Sequence, residues 1–128
     1  IGLIKSAFPD AKIIHVKRNS AATCWSNYKQ LFGYDSIALS YSYSIDDTVR
    51  YYSLYKKIMD MFFQSLSNKI YEVDYDVLVS CPKIEIRKLI NYLSLEWSDN
   101  CLSPQLNSRI VNTASDYQVR QKIYQGSS

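Results

Sequence analysis

Arg18 stands at the end of the apolar run AKIIHVK, and four polar residues follow it at helical spacing: Asn19, Thr23, Ser26 and Gln30. Steps of four, three and four place these side chains on one helical face. A strand that delivers an arginine at its carboxyl end, next to a helix start, is the arrangement with which open α/β sheets bind ligands. Free backbone N–H groups and the positive end of the helix dipole favour an anion there. Arg18 would add a forked, charge-assisted contact and Ser26 a hydroxyl donor, so the pattern reads as a phosphate cradle. On residue types alone, a solvated helix face beside a surface arginine explains the same spacing.

The other chemistry-bearing residues are less directed. His15, the single histidine, is a candidate general base. It sits inside the apolar run with no neighbour in sequence to orient an imidazole, and is read as sheet packing. Asp46 and Asp47 are read as opposing a helix dipole. Asp74 and Asp76 are expected to share a strand face around Tyr75. No metal site is expected. Cys24, Cys81 and Cys101 are far apart and odd in number, with neither zinc nor redox spacing, and read as buried thiols of a reducing compartment.

The elements that must position these groups follow from periodicity. Residues 2–7 read as a helix end, punctuated by Pro9 and Asp10. Residues 11–17 are short and β-branched, as a buried strand is. Asn19 or Ser20 caps a helix over 21–32, which Gly33 ends. Residues 34–43 read as a loop. Ser44, with Asp47 three residues on, starts a long amphipathic helix through Ile45, Val49, Tyr52, Tyr55, Ile58, Met59, Phe62 and Leu66. Residues 69–75 alternate as a second strand. Pro82 opens a helix to Leu93, and a short helical piece is expected over 97–102. Strands separated by helices predict an α/β domain with a small parallel sheet flanked by helices. Two strands make a poor sheet, so further strands are expected elsewhere.

Composition narrows the function classes. With 128 residues, 47% hydrophobic and 21% charged, the chain is expected to be one folded domain, neither disordered nor in need of staples. A net charge of +3 is too weak to argue for nucleic acid. No apolar run is long enough to span a bilayer, and no signal peptide is visible, so a cytoplasmic location is expected. Twelve tyrosines stand out; they are read as rings lining a core with hydroxyls toward water.

Three segments carry a family resemblance. FPDAKIIHVKRNSAATCWS, residues 8–26, resembles the 3′-phosphate-binding segment of sulfotransferases that use 3′-phosphoadenosine 5′-phosphosulfate. Arg18 and Ser26, eight residues apart, occupy the positions of that family's two phosphate ligands. Ser20 replaces the usual proline. YEVDYDVLVSCP, residues 71–82, is similar to the family's strand and turn V-x-Y-E-x-L-x-x-x-P, with Tyr75 near the nucleotide and Asp76 for the usual glutamate. NTASDYQVRQKIY, residues 112–124, resembles T-A-S-x-x-Q-V-R-Q-P-I-Y of bacterial sulfotransferases with tetratricopeptide repeats, and the related S-T-D-Q-V segment of tyrosylprotein sulfotransferases. There Ser115 would lie by the transferred sulfuryl group as the catalytic residue. Gln118, Val119 and Arg120 would wrap the nucleotide, and Lys122 stands for a proline.

The resemblance implies a partial three-layer, P-loop-like nucleotide-binding fold. It also implies sulfuryl transfer from that donor to a hydroxyl or amine acceptor, leaving adenosine 3′,5′-bisphosphate and needing no metal. The glycine-bearing 5′-phosphosulfate loop is not found, since Gly2, Gly33 and Gly126 are isolated. The chain is therefore expected to be a middle and C-terminal portion, truncated at both ends. The alternatives are a non-catalytic nucleotide-binding remnant and another adenine-nucleotide-binding α/β module, such as a kinase-like relative.

Overall fold

A computed structural model describes residues 1–30, 32, 37–66 and 69–108. They fall in two compact units, Ile1–Glu72 and a second that begins at Val73.

In the first unit a short helix, α1 (Gly2–Ala7), leads to strand β1 (Ile13–Lys17). The Lys5 ammonium reaches back to the Ala11 carbonyl at 2.9 Å and ties the intervening turn to the helix. Helix α2 (Ser20–Lys29) follows at once. Asn19 is its cap, accepting a 3.0 Å bond from the Ala22 amide. Such a bond satisfies one of the amides a helix start leaves unpaired, for about 1 kcal/mol.

A 3₁₀ helix occupies Ile37–Tyr43, where a loop is expected from the missing period. The hydroxyl of fully buried Ser42 donates to the Leu39 carbonyl at 2.8 Å, which satisfies the tight turn from within. Ser44 then caps the 21-residue α3 (Ile45–Ser65), with Asp46 and Asp47 in its first turn, as the sequence predicts. The face of α3 turned inward is Thr48, Tyr52, Tyr55, Met59 and Phe62. Ile45, Val49 and Ile58, predicted on the same stripe, are exposed. Thr48 takes the place of an apolar residue because its hydroxyl donates to the carbonyls of Tyr41 (3.1 Å) and Ser44 (2.8 Å), so burying it leaves no orphan donor.

Strand β2 (Ile70–Asp74) pairs with β1 in a parallel, two-stranded sheet. The fold is therefore α/β, a small parallel sheet with flanking helices. Parallel strands ordinarily have both faces covered. On β1, Ile14 and Val16 stand 37% and 57% exposed and Ile13 and His15 are only half-buried, so the expectation of a buried strand is not met.

The second unit departs most from expectation. Tyr75 does not continue a strand. It opens a six-residue helix, α4 (Tyr75–Ser80), because the Asp74 carboxylate accepts from the amides of Asp76 (3.0 Å) and Val77 (3.2 Å) and turns the chain. Asp74 and Asp76 are therefore a cap and a first-turn residue, not neighbours on a strand face. Helix α5 (Pro82–Leu93) starts on Pro82, as predicted, and ends at Ser94, the one described non-glycine residue with positive φ (58°). Short 3₁₀ turns at Asp99–Leu102 and Pro104–Leu106 complete the unit. The Arg87 guanidinium lies 4.7 Å over the Trp97 ring, joining α5 to the segment after it.

Candidate phosphate-binding pocket

The end of β1 and the start of α2 open on a pocket of about 430 Å³ in the first unit. One wall is polar: Arg18, Thr23, Ser26 and Asn27. The other is aromatic: Tyr41, Tyr51, Tyr52 and Tyr55. The structure thus brings Arg18 and Ser26 to one cavity, as their spacing predicts. Gln30, expected on the same face, lies beyond the last turn of α2 as its C-cap.

The polar wall is held by local bonds. The Thr23 hydroxyl donates to the Asn19 carbonyl at 2.8 Å, and the Asn27 amide donates to the Thr23 carbonyl at 3.0 Å. The Tyr41 hydroxyl reaches the Asn27 side-chain oxygen at 3.5 Å and links the two walls. The Tyr41 ring stacks on Tyr51 at 4.0 Å, with planes 4° apart. Burial pushes the Tyr41 phenol up, with Tyr51 adding to the effect. No acidic residue lies in the first turn of α2, so its positive end is uncompensated from within.

On the other side of α2, Trp25 and Tyr28 are 51% and 41% exposed and lie against each other, with the Lys29 ammonium 5.5 Å from the indole. The apolar side of this helix faces out and the polar side faces the pocket. Cys24, between them, is buried, and its thiol is pushed up by desolvation.

Tyr75 lies at the first position of α4 in the second unit. Ser115, Gln118, Val119 and Arg120 lie outside the described residues. Among the described residues no group of three or more His, Cys, Asp or Glu side chains could hold a metal ion, and no helix is long and apolar enough to cross a membrane.

The model of the sulfotransferase family matches residues 1–99, which include both the Arg18 and the Tyr75 segments. The chain belongs to the sulfotransferase family. An uncharacterized protein of Aquifex aeolicus (strain VF5) is 35% identical over 127 residues. That alignment covers 99% of this sulfotransferase chain and 17% of the relative, so the chain spans less than a fifth of the length of that protein. No solved structure matches.

Sequence reasoning missed one set of contacts in this sulfotransferase chain. His15 is not flanked by inert packing alone. Its Nδ1 lies 3.3 Å from the Glu72 carboxylate, and its Nε2 is hydrogen-bonded to the Tyr55 hydroxyl. The Phe63 ring meets the imidazole edge-on at 5.6 Å, and the Lys17 ammonium pairs with the other Glu72 oxygen at 2.9 Å. Tyr55 and Glu72 are 40 and 57 residues away, and no local pattern announces them.

Proposed function

We propose that this chain supplies the 3′-phosphate site of a sulfotransferase that uses 3′-phosphoadenosine 5′-phosphosulfate and sulfates a hydroxyl or amine acceptor. The observation that carries the reading is the convergence of Arg18, Thr23 and Ser26 on one pocket at an acid-free helix start. The residues fit the group. A volume of about 430 Å³ lies in the range of small-molecule sites, and the polar wall offers a guanidinium and hydroxyl donors opposite tyrosine faces.

Arg18 would neutralise the phosphate through paired N–H donors, and Ser26 would donate a further hydrogen bond. This anchoring distinguishes a 3′-phosphorylated nucleotide from a plain adenine nucleotide. Tyr75 would pack or bond near the nucleotide. Ser115 would donate to the charge that develops as the sulfuryl group moves, Arg120 would neutralise a phosphate, and Gln118 and Val119 would wrap the ligand. The donor supplies the reactive sulfuryl group, and the chain contributes binding, orientation and charge stabilisation. The open Ile14 and Val16 face of the sheet favours a site that further residues complete.

The test is calorimetric titration with adenosine 3′,5′-bisphosphate and with adenosine 5′-monophosphate, on this chain and on Arg18→Ala. A charge-assisted hydrogen bond contributes about 1.5–3 kcal/mol, so Arg18→Ala should bind the bisphosphate at least about tenfold more weakly. The native chain should prefer the bisphosphate. Equal affinities in the two proteins overturn the assignment. A binding module without chemistry is the second reading, favoured by the isolated glycines. Sulfuryl transfer by the full-length protein, lost in Ser115→Ala, would exclude it.

A further inference from the structure

The Glu72–His15–Tyr55 chain ends at the pocket, and the chemistry of its three members fixes which way its protons point. Tyr55 lines the pocket beside Arg18 and Ser26, while His15 stands behind it with its side chain 13% exposed. An ionised carboxylate can only accept, so the imidazole Nδ1 must carry a hydrogen and donate it to Glu72. In the neutral ring Nε2 is then a bare acceptor, and the Tyr55 hydroxyl spends its proton on it. Only lone pairs of the phenol oxygen remain for the pocket, and these repel an anion. When the ring takes up a second proton, Nε2 becomes a donor and the Tyr55 oxygen its acceptor. The phenol O–H is released to donate toward the pocket. One proton enters from solvent, no covalent bond to carbon changes, and one positive charge appears behind Tyr55.

We propose that Glu72 and His15 are positioning residues that make Tyr55 a proton-switched ligand for the pocket's anion, donating to it only when the imidazole is doubly protonated. The proposal rests on the reading that the Arg18 pocket takes a phosphate. The surroundings suit the switch. Lys17 holds the second oxygen of Glu72, so the carboxylate is fixed while it orients the ring. Tyr52 lies against Tyr55 at 5.4 Å, and Phe63 walls the ring on the apolar side. Ionisable groups gathered around His15 include Glu72 and Lys17 from the sheet and Tyr55 and Tyr52 from α3. Burial pushes the Tyr55 phenol up, with Tyr52 and Glu72 adding to this and Lys17 opposing it, so the hydroxyl keeps a proton to give throughout the neutral range.

Two measurements test it. Because the chain has one histidine, its ring nitrogens give a single pair of ¹⁵N resonances. In mildly alkaline solution without ligand they should show the Nδ1-protonated tautomer; the Nε2-protonated tautomer overturns the proposal. Calorimetry with adenosine 3′,5′-bisphosphate in buffers of different ionisation enthalpy then counts protons taken up on binding. The native chain should take up more than Tyr55→Phe, which loses only a hydroxyl, and more than His15→Gln. Its affinity, relative to Tyr55→Phe at the same pH, should rise about tenfold from mildly alkaline to mildly acid solution, the strength of one charge-assisted bond. Equal proton uptake in the native chain and Tyr55→Phe, with Arg18→Ala still impaired, overturns the switch and leaves the phosphate site standing. No binding by the native chain at any pH overturns both.

Discussion

Both strands among the described residues run straight into a helix, and the two junctions are closed by nearly the same residue to opposite effect. At the end of β1, Asn19 caps α2 with a neutral side chain, Arg18 lies beside it, and no acid follows in the first turn. At the end of β2, Asp74 caps α4 with a carboxylate that takes two amides, and Asp76 adds a second negative charge in the first turn. A helix start is a site of positive potential wherever it occurs. The first junction leaves that potential for something from outside. The second consumes it internally. The amide oxygen of asparagine and the carboxylate oxygen of aspartate cap about equally well, so capping strength alone does not explain the choice. The charge does.

Substitution of either cap tests this difference in charge. The largest effect is expected from Asn19→Asp, which gives the first junction the chemistry of the second. The helix should keep its stability within a few tenths of a kcal/mol, because aspartate caps as well as asparagine. Adenosine 3′,5′-bisphosphate should bind on the order of tenfold more weakly, since a carboxylate now stands beside the incoming phosphate. Calorimetry and a denaturant melt on the same sample separate the two outcomes. Loss of stability with unchanged affinity would show that the neutral cap has nothing to do with anions.

The converse change, Asp74→Ala, should cost about 1 kcal/mol in denaturant unfolding and leave bisphosphate affinity unchanged. Asp74→Asn should restore most of that stability. If Asp74→Ala also weakened the ligand, the carboxylate cap itself, and not only Tyr75 next to it, would belong to the site.

A smaller contrast lies in the thiols. Cys24, buried in α2 with its thiol pushed up, should resist alkylation, whereas exposed Cys81 at the start of α5 should react first. Peptide mapping after brief treatment with iodoacetamide decides this, and preferential labelling of Cys24 would mean that α2 opens readily.

The smallest effect is at alkaline pH. The folded phenols of Tyr41 and Tyr55 are held above their unfolded values by burial. The folded state therefore keeps protons that the unfolded state has begun to lose. The stability this contributes is present below the ordinary tyrosine value, about 10, and disappears as pH rises through the folded values. Tyr41→Phe and Tyr55→Phe should each flatten the alkaline fall in melting temperature. A fall identical to that of the native chain would remove both residues from the account.

What was legible in the sequence was local. The Ser44 cap, the start of α5 on Pro82 and the short β1 strand are set within a few residues, and each forms where the chain predicts it. Arg18 and Ser26 line one pocket because α2 begins two residues after Arg18, and both the end of β1 and the start of α2 are set locally. Helix α4 was missed because alternation carried the predicted strand on to Tyr75, and Asp74, the cap that starts the helix, looks in sequence like one more polar strand residue. The 3₁₀ segment was missed because its seven residues, IALSYSY, show neither helical nor strand period. The aromatic wall was half legible: Tyr52 and Tyr55 fell on the predicted inner stripe, but a tyrosine that lines a pocket and one that fills a core look alike in sequence. The His15 contacts were invisible, because Tyr55 and Glu72 meet the imidazole only through tertiary packing.

The two indoles give this molecule a property of practical use. Trp25 lies in the first unit with a lysine ammonium over it, and Trp97 in the second with an arginine guanidinium over it. They are the only two in the chain. Replacing either by phenylalanine leaves a single fluorophore whose emission reports one unit alone. Melting the two single-tryptophan proteins side by side would give separate unfolding curves for the two halves: coincident midpoints would mark one cooperative body, and distinct midpoints two. The same pair of dyes would show which half a bound nucleotide protects.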